Sequence, residues 1–427
     1  MSGAVSGPTA ELGDRLGRRL DGLLATADAE LASAFPGNPA RRQPVHTVYV
    51  PADRYDATTL RTWGARALAA LDEHAATSDA LADATGVPAG LVAEVYDRIR
   101  SKLASEPVED LRVDLEDGYG QRPDEDEDAA AVGAARVLAE AVRDGSAPPY
   151  HGIRFKSFEA PSRRRGLRTL LLFLDELLER GGLSEGLVLT LPKVTSVDQV
   201  AAMVEVCDAV EQAHGLAPGR LGFEIQVETP QSILGPDGTA LVARMVHETG
   251  GRCTGLHYGT YDYSASCGIA AEYQSMEHPA ADHAKAVMQV AAAGTGAFVS
   301  DGSTNVLPVG GREDVHAAWR LHQRLVRRSL ERGYYQGWDL HPAQLPTRFL
   351  ATYAFYREGL PGTVTRLRAY VGGSGSAFLD EPATAAAMAG FALRGIESGA
   401  VDEAEVTSAV GVDAARLAQL ARRTGAR

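Results

Sequence analysis

The clearest pattern in the chain is an alternation of short apolar runs with longer amphipathic segments. Eight short runs predict strands: HTVYV (46–50), LRVDL (111–115), GIRF (152–155), LVLTL (187–191), LGFEIQV (221–227), TGLHY (254–258), AFVS (297–300) and WDLH (338–341). Helical patterns such as LRTLLLFLDELLER (167–180) lie between most of them. This alternation indicates parallel strands with right-handed crossovers, and eight units favour an α/β fold closed as a (β/α)8 TIM barrel. An open doubly wound sheet is the alternative, although no G-x-G-x-x-G follows the first strand.

Segments at both ends and after the first strand exceed a minimal barrel. We predict an N-terminal helical extension over 1–45, a catalytic barrel over 46–345 with a helical insertion at about 72–108, and a C-terminal helical lid or extension over 346–427. Leucines at helical spacing from Leu12 to Leu24 predict an amphipathic helix that packs on the outside of the barrel. One enlarged domain without a second core is expected. The acidic run 124–128 predicts a solvated helix start.

Composition narrows the class of protein. Of the 427 residues, 45% are hydrophobic and 23% charged, which is typical of a globular enzyme. A net charge of -14 argues against a nucleic-acid partner. Three cysteines are too few for a disulfide framework or a zinc site, and we expect them to be buried thiols in a reducing compartment. With no apolar leader and no run of about 20 apolar residues, we expect a cytoplasmic protein that acts on a small molecule away from membranes.

The candidate chemistry lies at strand ends, because a barrel of this type has its active site at the carboxyl ends of its strands. In LGFEIQVETP, Glu224, Gln226 and Glu228 share the face opposite the apolar residues, and Pro230 ends the strand, so Glu228 is predicted at the mouth. The sixth strand is followed by a turn and Asp262. Two carboxylates on adjacent strands suit Mg²⁺, with Mn²⁺ as the alternative metal. The plainer interpretation makes Glu228 a salt-bridged rim residue and Asp262 a helix cap.

Two further strands bring charged residues to the same region. The third strand supplies Arg154, whose planar guanidinium suits a substrate carboxylate and an enolate oxygen. A structural ion pair of Arg154 with Asp114 or Glu116 is the alternative. The second strand sets Arg112, Asp114 and Glu116 on one face, and some of these are expected to support the site by pairing with one another.

The sequence resembles the HpcH/HpaI aldolase and citrate lyase β-subunit superfamily from about Tyr49 to about Met388. Eight segments occur in the family's order: YVPADR (49–54), DLEDG (114–118), IRFKS (153–157), LPKV (191–194), VETP (227–230), GTYD (259–262), HPAQ (341–344) and FLDEP (378–382). The histidine dyad of the HpaI branch has no counterpart beside DLEDG. The chain is therefore more similar to the citrate lyase and malyl-CoA lyase branch.

The resemblance assigns roles to matching positions. It implies that Glu228 and Asp262 hold Mg²⁺ and that Arg154 binds the carboxylate and enolate oxygen of the substrate. Further residues are expected at the site: Glu116 and Asp117 lining it, Asp380 as an acid or base, and Lys193 and Tyr261 as substrate-binding residues. The large insertion puts a CoA thioester substrate in doubt, and the arginines at 163–165 meet either a CoA phosphate or solvent.

The expected function is a Mg²⁺-dependent lyase or aldolase that makes or breaks a carbon–carbon bond through an enolate. The substrate is a 2-oxo acid or a β-hydroxy acyl compound. One rival is a Schiff-base aldolase using Lys193 with a pKa depressed by burial. Another is a non-catalytic acyl-binding subunit of a lyase complex. The resemblance also implies a homo-oligomer, a trimer or a multiple of one, with sites completed by a neighbouring subunit.

Overall fold

The structure is a computed structural model that describes residues 8–39, 41–372, 381–421 and 423–424. All eight predicted barrel strands are confirmed. They are β1 Thr47–Pro51, β2 Asp110–Asp114, β3 Tyr150–Arg154, β4 Leu187–Leu191, β5 Phe223–Val227, β6 Cys253–Tyr258, β7 Phe298–Ser300 and β8 Trp338–Asp339. Two very short strands, Asn38–Pro39 and Arg423–Thr424, pair separately in parallel.

The eight strands form one parallel sheet that curves into a barrel. Each strand from β1 to β6 pairs with the next along the chain, and β8 pairs with β1. The seam between β7 and β8 is joined by a parallel bridge from Ser300 to Gln336 and by the Trp338 N–H, which donates to the Gly302 carbonyl at 3.1 Å. The strand order and this seam confirm the TIM-barrel prediction, and all carboxyl ends lie at one mouth.

Helices surround the barrel and extend it at several points. They are α1 Pro8–Ala34, α2 Thr59–His74, α3 Ser78–Thr85, α4 Ala89–Ser105, α5 Asp124–Asp144, α6 Arg163–Glu179, α7 Val197–His214, α8 Pro230–Ile233, α9 Leu241–Glu248, α10 Thr260–Ser266, α11 Pro279–Ala292, α12 Arg312–Glu331, α13 Leu345–Val371, α14 Pro382–Glu397, α15 Glu403–Val410 and α16 Ala414–Leu420. The predicted insertion at 72–108 holds α3 and α4. Among the helices of the described residues, none is long and apolar enough to cross a membrane.

The two faces of the strands have opposite chemistry. On β5, Phe223 and Ile225 belong to the apolar layer between the sheet and the helices. Their neighbours Glu224 and Gln226 are equally buried but bond to polar side chains of other barrel strands. The strict alternation in the sequence therefore places a polar interior within an apolar ring.

The expectation of a single core is wrong. A second apolar cluster lies beside the barrel, where the insertion helices α3 and α4 pack with α13 and the C-terminal helices around residues such as Leu81, Val95, Phe349 and Leu393. The two added segments are far apart in the chain, but neither can bury its apolar face alone. They therefore share one core, which single-sequence periodicity does not reveal.

Three smaller expectations are also corrected. The leucines of α1 do not pack on the barrel, since Leu20 and Leu23 are 53% and 67% exposed. The acidic run does begin α5, but its Glu127 is buried, because Lys156 and Arg165 pair with it. Cys267 is exposed, whereas the other two cysteines are buried as expected.

Candidate active site

The candidate active site is a group of charged side chains at the mouth of the barrel. Asp114 and Arg154 are the last residues of β2 and β3, and Glu228 directly follows β5. Lys193 lies two residues beyond β4, and Asp262 lies in the first turn of α10 after β6. Because the strands are parallel, neighbouring strand ends bring these residues together.

Asp114 organises one side of the mouth. Its carboxylate accepts hydrogen bonds from Arg154 Nε at 2.7 Å and from Arg154 Nη2 at 2.6 Å. The same carboxylate accepts from the backbone N–H of Glu116 at 3.0 Å and of Gly118 at 2.8 Å. A Cβ at Gly118 would lie 2.4 Å from Asp114 Oδ2, so only glycine fits this turn. Asp114 thus fixes the arginine and the DLEDG turn as one unit.

This pairing confirms the ion pair that was the alternative interpretation of Arg154, yet it leaves part of the guanidinium free for a ligand. Asp114 takes the edge formed by Nε and Nη2, while Nη1 lies 3.6 Å from Glu116 Oε2. The guanidinium carbon also lies 4.6 Å from the centre of the Tyr49 ring. A planar guanidinium has a second bidentate edge, Nη1–Nη2, and here that edge lies on the side of Glu116.

Lys193 is held in an unusual backbone conformation at the centre of the group. Its φ of 51° is the one positive value at a non-glycine residue among the described residues, a strain that is typical of functional positions. The turn directs its N–H to Glu228 Oε2 at 3.0 Å. Its Nζ contacts Glu116 and Asp117 at 2.6 Å each and Asp262 at 3.3 Å.

The surroundings of Lys193 contradict the low pKa that a Schiff-base mechanism requires. Burial by itself lowers the pKa of this lysine, but the charges of Glu228 and Glu116 and the hydrogen bond to Asp117 outweigh burial and raise it above its usual value. An ammonium held in its charged form is a poor nucleophile. The geometry instead supports a role for Lys193 as a charge partner of the carboxylates.

Glu228 is the most perturbed carboxyl of the mouth. It is only 2% exposed, and burial together with the charges of Asp262 and Glu116 raises its pKa to about 7 against the opposing effect of Arg154 and Lys193. Gly259 lets it sit there, because a Cβ at that position would lie 2.3 Å from Glu228 Cγ. A buried carboxyl that is difficult to ionise is typical of a site that lacks a positive charge.

Asp262 faces the same group from the other side. It does not cap α10, since Gly259 is the N-cap residue and no side chain caps this end. The cap interpretation is therefore wrong, and the carboxylate lies on Lys193. The neighbouring Tyr261 accepts a hydrogen bond from the Asn305 N–H at 2.5 Å, which ties the loop after β7 to the mouth.

The charges of the mouth do not balance. Five carboxylates lie there and two cations oppose them, so the formal excess is three negative charges: Asp114, Glu116, Asp117, Glu228 and Asp262 against Arg154 and Lys193. Among the described residues no cluster of three or more His, Cys, Asp or Glu side chains is arranged as a metal cage. Mg²⁺ needs only one or two carboxylates and fills its other positions with water and substrate oxygens. The donor set of Glu228 and Asp262 fits that ion.

The structure brings together most of the residues predicted from the sequence. Glu116, Asp117, Arg154, Lys193, Glu228 and Asp262 meet at one mouth. Tyr261 is adjacent, but its hydroxyl binds a neighbouring loop. Lys156 lies two residues beyond Arg154 but bonds to Glu127 at 2.6 Å, away from this group. Asp380 lies outside the described residues.

Tyr49 has a role at this site that sequence reasoning did not assign. It lies on β1, stacks on Arg154, and accepts a hydrogen bond from Gln226 Nε2 at 3.0 Å. Its hydroxyl also lies 3.4 Å from Glu224 Oε1. The available signal was its position in the YVPADR segment, at an alternating position of an otherwise apolar strand.

Comparison with solved structures supports the fold. A citrate lyase from Burkholderia xenovorans LB400 matches with a TM-score of 0.55 and 17% identity over 91% of this chain and 95% of that chain. A magnesium/glyoxylate complex of malate synthase from Haloferax volcanii has a TM-score of 0.48 and 17% identity over 90% and 99% of the two chains. CitE from Mycobacterium tuberculosis in complex with magnesium, acetoacetate and coenzyme A has a TM-score of 0.45 and 17% identity over 85% and 98%.

The citrate lyase match shows a shared fold, in agreement with the resemblance in the sequence. Comparison with curated proteins gives no match. The family model described as "Domain of unknown function (DUF6986)" matches residues 24–425, and the chain therefore belongs to that family.

Proposed function

We propose that this chain is a Mg²⁺-dependent carbon–carbon lyase or aldolase that acts through an enolate on a 2-oxo acid or a β-hydroxy acyl substrate. One observation carries the proposal: the mouth of the barrel joins an excess of carboxylates, including Glu228 and Asp262, to an arginine with one free bidentate edge. The eight sequence segments that resemble citrate lyase-type enzymes and the fold shared with a citrate lyase support it.

Glu228 and Asp262 are the residues that would hold the metal. Burial, together with the charges of Asp262 and Glu116, raises the pKa of Glu228, so a divalent cation would stabilise its charged form. When bound, such an ion supplies a Lewis acid for negative charge that develops on a substrate oxygen. The backbone N–H of Lys193 holds Glu228 from the opposite side at 3.0 Å and so fixes the direction of the carboxylate.

Arg154 is proposed to bind the carboxylate of the substrate and to face the enolate oxygen. Asp114 holds its Nε–Nη2 edge and Tyr49 stacks on its plane, so the guanidinium is oriented before the substrate arrives. A donor that does not need to reorganise stabilises developing charge more strongly than a mobile one. The ion pair with Asp114 is therefore part of the proposed catalytic arrangement.

Lys193 is proposed to keep the remaining carboxylates in place and to contact the substrate through its charge. Without it, Glu116 and Asp117 would repel each other and the two residues of the metal site. Burial raises the pKa of Glu116, so this carboxyl is one candidate to hold a proton near the substrate. Asp380 remains the acid or base proposed from the sequence.

Space for the rest of the substrate lies beside this group. A cavity of about 700 Å³ opens between the loops after β3 and β4 and is lined by Phe158, Arg163 and Gln199 among others. Arg163 is held by its own Nε donating to the Phe158 carbonyl at 3.0 Å.

The test is turnover by the purified chain on a matched panel. The panel contains malyl-CoA, citramalyl-CoA and free 4-hydroxy-2-oxo acids, each assayed with Mg²⁺ and again with a chelator. We expect one class to be cleaved with Mg²⁺ and activity to vanish with the chelator. Turnover that survives the chelator, together with borohydride trapping of substrate on Lys193, would overturn the metal mechanism in favour of the Schiff base. No turnover on any compound would favour an acyl-binding subunit.

A further inference from the structure

The N-terminal helix α1 presents a long apolar stripe to solvent. Six leucines of this 27-residue helix are between 42% and 67% exposed: Leu12, Leu16, Leu20, Leu23, Leu24 and Leu31. At about 100° per residue they fall within an arc of about 120°, so they form one continuous face of a rod about 40 Å long. Exposed leucines elsewhere on a protein are commonly scattered, whereas an aligned set marks a contact surface.

Charged residues follow one border of the leucine stripe. The first half of α1 holds its three arginines, Arg15, Arg18 and Arg19, but also three acidic residues, so that half carries no net charge. At about 100° per residue, Arg15 and Arg19 run along one edge of the leucine stripe, and Glu30 continues the same edge. Along this border two arginines in the first half are therefore followed by a glutamate near the end of the helix.

We propose that α1 pairs antiparallel with α1 of a second copy of this chain, leucine stripe against leucine stripe. With Leu20 of one copy opposite Leu23 of the other, Leu12 comes opposite Leu31, and the apolar layers match from end to end. The same register brings Arg15 of one copy within one helical turn of Glu30 of the other, twice by symmetry. A parallel pair would instead set Arg15 and Arg19 of the two copies level with each other.

Other occupants fit the stripe less well. The apolar face is exposed to water in the folded chain, so the chain's own barrel does not cover it. An anionic membrane surface prefers a helix with a basic polar face. Here five acidic residues (Glu11, Asp14, Asp21, Asp28 and Glu30) outnumber the three arginines. A second copy would cover the leucine stripe and would also place Arg15 of one copy near Glu30 of the other.

The first experiment measures the mass of the full-length protein by sedimentation equilibrium. The stripe variant carries Leu16→Glu, Leu20→Glu and Leu23→Glu. Its matched control adds the same three charges on the opposite face through Ala25→Glu, Ala29→Glu and Ala32→Glu. We expect wild type and control to have twice the mass of the stripe variant. Equal masses for wild type and stripe variant would overturn the proposal.

A second experiment tests the antiparallel register and the identity of the occupant. One variant carries Arg15→Glu and Arg19→Glu, and another carries Glu30→Arg. Each alone should pair at least about tenfold more weakly than wild type, because like charges then face each other. An equimolar mixture should recover most of the affinity. If both variants weaken pairing but their mixture does not restore it, α1 does not pair antiparallel with a second copy. Circular dichroism of each variant confirms that the helix content is unchanged.

Discussion

Glu224 lies near the start of β5 and Glu228 directly follows its end, and each is 2% exposed, yet their carboxyls behave in opposite ways. Despite its burial, the pKa of Glu224 is far below the usual range because of Arg112 and His257. Burial raises the pKa of Glu228 to about 7, and Arg154 and Lys193 do not offset it. Burial is equal for the two residues, so the difference lies in the partners.

The interior and the mouth of the barrel are thus built on different electrostatic principles. Glu224 accepts from Arg112 at 2.8 Å and from Thr190 at 2.6 Å, and His257 lies at 3.0 Å. Among the hydrogen bonds of the described residues, Glu228 has one donor, the N–H of Lys193. Carboxylates saturated with donors stabilise the fold, whereas an unsaturated carboxylate in a charge-rich mouth is available for a ligand.

The largest predicted effect separates the two glutamates by activity. We expect Glu228→Gln to lower Mg²⁺-dependent turnover at least about a thousandfold, because a metal contributes several kcal/mol to charge stabilisation. The free energy of unfolding should stay equal or increase, since a neutral amide removes repulsion from Asp262. Steady-state kinetics and urea unfolding measure the two quantities. Asp262→Asn should behave in the same way, and wild-type turnover in both variants would remove the metal site.

The reverse outcome is predicted for the interior. Arg112→Met should destabilise the fold by about 4 kcal/mol, because removing one partner of a buried ion pair leaves charge uncompensated. The charges left behind belong to Asp110 and Glu224, both of which are buried. Urea unfolding checks the value, with the exposed Arg136→Met as a control that should leave stability nearly unchanged. If the two variants are equally stable, the interior network is not structural.

The pH dependence of stability sharpens the same contrast. In metal-free protein, Glu228 binds its proton more tightly when folded, since its pKa is about 7 against the usual 4.5. Its contribution to stability is therefore fully present below about pH 4.5 and is lost as the pH rises through 7, by roughly 3 kcal/mol. Unfolding in chelator at pH 5 and pH 8 should show this loss in wild type but not in Glu228→Gln. An identical pH dependence of the two proteins would contradict the raised pKa.

Arg154 provides a test of geometry at constant charge. We expect Arg154→Lys to lower kcat/KM about thirtyfold, because one ammonium cannot both hold Asp114 and present a second bidentate edge to substrate. Arg122→Lys, at an exposed ion pair with Asp53, is the matched control and should leave turnover unchanged. Full activity in Arg154→Lys would exclude a bidentate role for the guanidinium.

Much of this arrangement was predictable because it depends on period and topology alone. Strict alternation in LGFEIQVETP fixes which residues face the interior, and parallel strands force Glu228 and Asp262 to the same mouth. The charge-pair role of Arg154 was foreseen as an alternative, and the structure confirms its ion pair with Asp114. These features follow from local rules that tertiary packing does not overturn.

The remainder depends on contacts between distant segments. Nothing in the segment LPKV predicts the positive φ of Lys193. This backbone conformation directs the lysine side chain to the carboxylates, with which it forms ion pairs. The shared core of the insertion and the C-terminal helices required knowing that the two segments meet. Glu127 was predicted to be solvated because it belongs to an acidic run, but in the structure it is paired with Lys156. Pattern analysis treats one helix or strand at a time and therefore does not predict which side chains of distant segments pair.

The smallest predicted effect concerns Tyr49, a side chain that touches both regions. Its ring stacks on Arg154 at the mouth, while its hydroxyl binds Gln226 and approaches Glu224 in the interior. Tyr49→Phe removes only the interior contact, so it should cost about 1 kcal/mol of stability and less than about threefold in turnover. Tyr49→Leu also removes the ring, and since a desolvated cation–π contact contributes about 1 kcal/mol, turnover should fall about fivefold further. Urea unfolding and kcat/KM together resolve the two functions of the side chain. A fall in turnover as large in Tyr49→Phe as in Tyr49→Leu would mean that the hydroxyl, and hence the interior network, orients Arg154; the mouth and the interior would then be one coupled unit.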